Sequence, residues 1–322
     1  MRAIIQPRYG GPESVELADI PKPRAGTGQV LVRVRSSSVN AADVETLDGF
    51  GLVRMASPLR PAARIAGSDI AGVVEEVGAV VADLAPGDEV MGDTSEHGYG
   101  AFAEYAVAPA EAVCRLPRGQ ALEDAGSVPS AAWVAIKAAR GLGAGDRLLI
   151  NGAGGSMGTF LVQMAQARGA HVTGVDGADK LELIGSLGAD ETVDYRATDP
   201  TVGDDSYERI IDVYARRPLR DWRRILSPTG SYRMVGGSSF RVLAGFAQGW
   251  WLSRGGEQQL GVLLGWPQTR EDMDETNALI ASGQVRPVIG HRFPLERTAE
   301  ALRLLKDGRS MGKIAIDIER HA

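Results

Sequence analysis

The segment Asn151-Gly152-Ala153-Gly154-Gly155-Ser156-Met157-Gly158 places four glycines in eight positions, directly after the apolar run Leu148-Leu149-Ile150. A backbone this bare at the end of a strand suits a diphosphate held on main-chain amides. The turn must bend sharply, let a pyrophosphate touch the chain and bring a helix close to the strand, and a side chain obstructs each task. The helix that follows offers amides and a partial positive charge to the anion. We read Ala153, Gly155 and Gly158 as the key positions, an Ala-x-Gly-x-x-Gly pattern, with Gly152 and Gly154 adding freedom and Ser156 and Met157 within the same cofactor-binding stretch. A second apolar strand ends at Val175-Asp176, 18 residues past Gly158, where an acid for a ribose 2′-hydroxyl is expected about 20 residues on. The segment reads as a dinucleotide site. No Gly-Lys-Ser/Thr follows, which excludes a Walker-type phosphate loop.

The same residues bear on which dinucleotide binds. Asp176 accepts from a 2′-hydroxyl and repels a 2′-phosphate, which points to NADH. Lys180 points to NADPH if it meets that phosphate; otherwise it pairs with Asp176 across one helical turn or stands solvated.

These groups need a frame. From Arg147 the chain alternates strand and helix: RLLIN, TFLVQMAQARG, HVTGVD, KLELIGSLG, ETVDY, RIIDVY, LRDWRRILS, SYRMVGG and a further strand QLGVLLGW. Such alternation builds an α/β fold, a doubly wound parallel sheet with helices on both faces. Before it, residues 1 to 117 read as short strands broken by Gly and Pro, among them VLVRVRSSSVN and DIAGVVEEVG. Ser127 to Leu142 reads as helix. The last 55 residues carry a helix near REDMDETNALIASG, a segment VRPVIGHRFP, a helix LERTAEALRLLKDG and a closing strand KIAIDI. The expected domains are therefore 1–120 with 269–322, and an inserted block 121–268.

Composition narrows the function. The chain has 322 residues, 44% hydrophobic and 24% charged, with 41 glycines, which suits a globular protein of two domains. A net charge of −6 with scattered Lys and Arg offers no basic face, so nucleic acid is not expected as a partner. A single cysteine, Cys114, allows neither an internal disulfide nor a thiolate metal cluster. No apolar run reaches the ~18 residues that a membrane span demands, and no secretory leader is evident. The expectation is a cytoplasmic protein without membrane association.

The segments VNAADV, GSDIAGVVEEVG, AFAEYA, NGAGGSMGTFLVQMAQARGAHVTG, SLGADETVDYR, VRPVIGHRFPLERTAEALRLLKDG and GKIAIDI resemble the medium-chain dehydrogenase/reductases, and most closely their zinc-free quinone oxidoreductase branch. The resemblance implies a GroES-like β domain built from both chain ends, a Rossmann domain inserted between them and an active site in the cleft. Zinc alcohol dehydrogenases of the superfamily hold a catalytic metal with Cys, His and Cys. The matching positions here are Asn40, Ser68 and the neighbourhood of Ser130, none a good soft ligand. The reading is no zinc, and hydride transfer from NADPH or NADH to a small-molecule quinone or α,β-unsaturated carbonyl.

The resemblance also nominates site residues. Asn40 and Asp43 match an Asn-x-x-Asp turn near the nicotinamide, though both types also favour turns and helix N-caps. Tyr195 matches a residue near the adenosine, with a core tyrosine as the competing view. Val235, Gly236 and Gly237 end a sheet strand on the side where ligands bind. Gly312 and Lys313 match a segment near the cofactor, Lys313 being equally readable as a solvated strand residue. Relatives carry a tyrosine further along from Asn40, but this stretch reads LDGFGLV and Phe50 has no hydroxyl, so the proton donor is unassigned. Val134 stands where relatives often carry a threonine on the nicotinamide amide. His97 reads as surface. Trp250 and Trp251 suit either a substrate pocket or a dimer contact, and the family pairs Rossmann sheets edge to edge in homodimers. Two other functions stay open: an enoyl-thioester reductase, and a cofactor-sensing or partner-binding protein without catalysis.

Overall fold

The structure, a computed structural model, describes residues 1–49, 54–55, 57–203, 206–236, 245, 249, 256–263 and 267–318. Two compact units form, Met1–Trp133 with Gln268–Gly283 and Pro287–Ala322, and Val134–Pro267 with Gln284–Arg286. We call them the β unit and the α/β unit.

In the β unit, β1 (Arg2–Ile5) pairs antiparallel with β2 (Glu16–Asp19). The larger sheet uses β3 (Gln29–Val39), β4 (Asp69–Val77), β5 (Glu89–Asp93), β6 (Tyr105–Pro109), β7 (Val113–Arg115), β14 (Ile289–Pro294) and β15 (Lys313–Asp317). Its order is β14-β15-β3-β4-β5-β7, with β6 also paired to β3. Alternation along β3 sends Val30, Val32 and Val34 into the core beside Ile70, Phe102, Leu302 and Ile316, while Arg33 and Arg35 stay half-buried. Helix α1 (Ala41–Asp48) leaves the end of β3, and α7 (Arg270–Ala281) and α8 (Thr298–Lys306) complete the unit.

Register matters most here. Ala315 pairs with Ser38, Ser38 with Asp69, and Asp69 with Asp93. Four strands from distant parts of the chain thus align one row in which Ser38, Asp69 and Asp93 are polar, and Lys313 begins β15 next to that row.

In the α/β unit every strand pair is parallel, in the order β10 (Glu191–Asp194), β9 (His171–Asp176), β8 (Arg147–Asn151), β11 (Tyr207–Asp212), β12 (Leu226–Met234), β13 (Gln259–Val262). The chain reverses its direction of winding between β8 and β11, the switch point at which such sheets bind ligands. Helices α4 (Ser156–Ala167), α5 (Leu181–Ser186) and α6 (Leu219–Arg223) lie between the strands in sequence. Met157 to Ala165 are all buried.

Residues 121–133, read from sequence with the α/β block, pack in the β unit instead. Their backbone supplies the reason. In α2 (Leu122–Ala125) the Leu122 carbonyl accepts from the Ser36 hydroxyl at 2.7 Å, and the Gly126 amide donates to that same hydroxyl at 3.0 Å. At the start of α3 (Pro129–Ala139) the Ser130 amide donates to Asp69 Oδ1 at 2.9 Å. Residues 284–286 join the α/β unit because the Gln163 amide side chain bonds both backbone groups of Arg286, each at 3.0 Å.

Candidate functional site

The glycine-rich turn links β8 to α4. Positive φ falls at Gly152 (92°) and not at Ala153, so the sharp bend needs glycine one position earlier than the pattern suggested, and Ala153 sits buried without penalty. At Gly158 a Cβ would stand 2.2 Å from the Gly152 oxygen and 2.6 Å from that of Ala153. Only glycine lets α4 approach the strand end this closely.

The amides of the turn divide into two sets. Gly152 and Ala153 donate to the Val175 carbonyl at 2.8 and 3.2 Å, and Gly155 to the Gly152 carbonyl at 3.2 Å. Gly154 donates to Asp176 Oδ2 at 2.9 Å. These bonds stitch the turn to β9. The first turn of α4, Ser156 to Gly158, is where helix geometry leaves amides without intrahelical carbonyls, at the positive end of the dipole. That is the place for a pyrophosphate, and the bare cradle fits one.

Asp176 ends β9 and is nearly buried. Besides Gly154, it accepts from the Gly177 amide at 2.8 Å, and Lys180 Nζ lies 3.4 Å from Oδ1. Lys180 is thus neither solvated nor unpaired. Arg196 approaches from β10: a Cβ on Gly177 would lie 3.4 Å from its guanidinium. Tyr195 is 43% exposed, which removes the core reading, and the Arg196 guanidinium stands 5.3 Å from its ring centroid. Two cations thus lie near the carboxyl end of β9, Lys180 paired with Asp176 and Arg196 with Asp179 at 3.7 Å.

Val235 and Gly236 follow β12; Val235 donates to the Asp212 carbonyl at 2.9 Å, and a Cβ on Gly236 would stand 2.6 Å from the Val213 oxygen. Gly237, Phe50, Trp250 and Trp251 lie outside the described residues. Asp212, which sequence reading passed over, is fully buried at the same sheet edge. It accepts from Asn151 Nδ2 and the Tyr232 hydroxyl, each at 2.7 Å, and burial pushes its pKa up.

The β unit holds a second constellation, built on the polar row of its sheet. Lys313 is fully buried, which corrects the view of it as a solvated strand residue. Its ammonium donates to Asn40 Oδ1 at 2.7 Å and to Asp69 Oδ2 at 3.2 Å. Asp69 Oδ2 also accepts from Ser38 Oγ at 2.7 Å and Asn40 Nδ2 at 2.8 Å, and Asn40 Nδ2 reaches Ser68 Oγ at 3.2 Å. A buried charge pair needs further hydrogen bonds to its other polar atoms; here Asp69 accepts four in all, counting the Ser130 amide, and the ammonium donates two. Gly312, at φ 60°, lets the chain pass 2.3 Å from the Val288 oxygen, measured to an added Cβ.

Asp43, in the first turn of α1, accepts from the Asn40 amide at 2.7 Å through Oδ2. Its Oδ1 is buried without a partner. Burial, with the nearby Asp69 charge and against the pull of the Asn40 amide, drives its pKa up to about 8. Asp93, opposite Asp69, accepts from the Ser95 amide at 2.8 Å while its Oδ2 has no partner; burial and Asp69 push it up to about 6. The loop after β5 brings Tyr99 to α1, where the Thr46 hydroxyl donates to the phenol oxygen at 2.9 Å. Asp69, Asp93 and Tyr99 were not nominated from sequence. Asp69 stands beside Ser68 in GSD, but nothing local shows that it opposes Asp93. His97 is exposed, and Val134 is buried on α3.

Two family matches cover most of the chain: the alcohol dehydrogenase GroES-like domain over residues 26–118 and a zinc-binding dehydrogenase family over residues 187–316. The chain is 28% identical over 330 residues to a chloroplast envelope quinone oxidoreductase homolog of Arabidopsis thaliana, covering 98% of each. It is also 28% identical to an NADPH-dependent alkenal/one oxidoreductase of the same plant, over 98% of this chain and 79% of that protein. Among solved structures, the quinone oxidoreductase of Coxiella burnetii matches with a TM-score of 0.88 over 99% of each chain, at 24% identity.

The second family's description makes zinc worth testing against the donors present. Structural and catalytic zinc sites take thiolate, imidazole or carboxylate in a tetrahedral set. Asn40 and Ser68 offer an amide and a hydroxyl, and the adjacent Asp69 carboxylate already faces the Lys313 ammonium. Cys114 is buried away from them on β7, its thiol pushed up to about 11 by burial. Among the described residues no group of three or more His, Cys, Asp or Glu is arranged to hold a metal ion. The residues do not fit zinc.

Proposed function

We propose that this chain, a medium-chain dehydrogenase/reductase of the quinone oxidoreductase type, reduces quinones or α,β-unsaturated carbonyls with NADPH and without a metal. The observation that carries the reading is the Gly152–Gly158 turn, whose bend and close helix approach make a diphosphate seat at the switch point of a parallel sheet. When bound, the nicotinamide supplies a hydride. The protein's part is to hold the dinucleotide along α4 and β9, exclude water and supply oriented donors for the charge that develops on the acceptor oxygen.

NADPH is favoured by the cations at the end of β9. Asp176 spends its charge inward, on Gly154, Gly177 and Lys180, and the exposed Arg196 guanidinium lies by the neighbouring Gly177. The name of the alkenal/one oxidoreductase relative supports the same choice and the same acceptor class.

Loss of NADPH absorbance with a quinone panel and an enone panel, in the presence of a strong chelator, tests the reading. Turnover unaffected by the chelator is expected. Nucleotide binding without turnover on either panel, or activity that returns only with added zinc, overturns it. We extend the proposal to a homodimer paired through β13, which ends the described sheet; a monomer by light scattering overturns that extension.

A further inference from the structure

We propose that Asp212 is a positioning residue for the dinucleotide: it fixes the strand ends that carry the Gly152 bend, and so sets affinity for the diphosphate without touching it. The assignment rests on the dinucleotide seat described above and names what holds that seat in shape.

Three observations carry it. First, the register puts Asp212 level with the seat. As the last residue of β11 it pairs with Asn151, the last residue of β8, and with Met234, the last of β12. Gly152 follows Asn151 directly. The chain leaving Asp212 also borders the bend, since a Cβ on Gly152 would stand 3.3 Å from Val213 Cβ and 3.8 Å from Tyr214 Cβ.

Second, the Asp212 carboxyl group ties both neighbouring strands. Oδ1 accepts from Asn151 Nδ2 and Oδ2 from the Tyr232 hydroxyl, each at 2.7 Å. The main chain repeats the tie, with the Val213 amide donating to the Asn151 carbonyl at 3.0 Å and the Val235 amide to the Asp212 carbonyl at 2.9 Å. Asn151 is thereby held to β11 by side chain and backbone, while Gly152 and Ala153 are held to β9 through the Val175 carbonyl. The bend is anchored on both sides.

Third, the group makes a poor packing element. Asp212 is fully buried, and among the described residues no cation pairs with it; burial pushes its pKa up. A buried carboxyl without a counter-ion is costly to desolvate, and apolar side chains of the same shape fill such an interior without that cost. What the carboxyl adds is direction. Its two short bonds admit one orientation of Asn151 and one of Tyr232, and the buried Tyr232 ring is itself fixed beside Trp222 of α6, with centroids 6.5 Å apart. Donors that hold a ligand must stand within ~0.5 Å of their productive places. Asp212 supplies that precision to the strand end from which the turn departs.

The test measures binding by titration calorimetry for Asp212→Leu, Asp212→Asn and the unaltered protein, with NADPH and with adenosine 2′-monophosphate, which carries no diphosphate. Leucine keeps the bulk and removes both bonds. Asparagine still accepts from Asn151 and turns its own amide to the Tyr232 oxygen. We expect D212L to weaken NADPH by ~10-fold, the order of one charge-assisted hydrogen bond lost, with adenosine 2′-monophosphate unchanged, and D212N to recover most of the loss. Unaltered NADPH affinity in D212L overturns the assignment. An equal loss for both ligands overturns it too, because it marks a residue that serves stability alone, and so does D212N binding as weakly as D212L. Should D212L fail to fold, Asn151→Ala breaks the same bond from β8 and is judged by the same split. Binding is read apart from turnover, so a protein that binds NADPH yet reduces neither panel refutes the reductase reading and leaves the variants to decide this one. A parent that binds neither NADPH nor NADH fails earlier, at the seat itself, and takes the assignment with it.

Discussion

Lys313 Nζ lies 3.2 Å from Asp69 Oδ2, with both side chains fully buried and 244 positions apart in sequence. The pair joins the last strand of the chain to β4 and, through Asn40, to the start of α1. It sets an ammonium against a fully buried carboxylate.

Removing either charge alone leaves the other buried without a partner, which typically costs about 3–5 kcal/mol. Lys313→Met should destabilise the β unit by that order, read as a shift in the denaturant midpoint. Adding Asp69→Asn to it should recover much of the loss, since a neutral amide keeps hydrogen bonds to Ser38 and Ser130. A single variant as stable as the parent refutes the account.

Stability should fall as pH rises. Asp43 and Asp93 titrate near 8 and 6 in the fold, above the ~3.9 of an unfolded aspartate. Between those values the folded chain binds more protons than the unfolded one, so unfolding free energy declines with pH. The decline begins near pH 4 and levels off above pH 8. Thermal melts of Asp43→Asn across this window should show a flatter profile than the parent; parallel profiles would exclude Asp43 as the source.

Gly158→Ala should cost at least ~10-fold in dinucleotide affinity, about 1.4 kcal/mol. Its methyl meets the Gly152 and Ala153 carbonyls and pushes α4 off the strand end. Titration calorimetry measures the loss, and far-UV circular dichroism should show the helices retained.

Lys180→Ala and Arg196→Ala should each weaken NADPH far more than NADH, by ~10-fold if a charge-assisted contact to the 2′-phosphate is lost. Lys180→Ala also unpairs Asp176, so this variant should bind NADH no worse than the parent. Equal losses for both coenzymes would place neither cation at the phosphate.

What sequence alone determined is the local part of the protein. Apolar runs and helical periodicity set the alternating elements of the α/β unit. Glycines separated by fixed spacing marked the bend, because backbone freedom and close approach are written in the absence of a side chain. Even there the spacing placed the tight bend at Ala153, and only the backbone angles showed that Gly152 takes it. The β unit's constellation was not legible in this way. Asn40 stood out as a turn residue, Lys313 read equally as solvated, and Asp93 and Tyr99 passed unnoticed. Their meaning comes from the register that sets Ser38, Asp69 and Asp93 in one row and starts β15 beside it. A short-range pattern cannot encode that row, since each strand's partner is chosen by packing between residues far apart in the chain. The charge states follow from the same cause: a carboxyl acquires its proton from burial, and burial exists only once the sheet has closed.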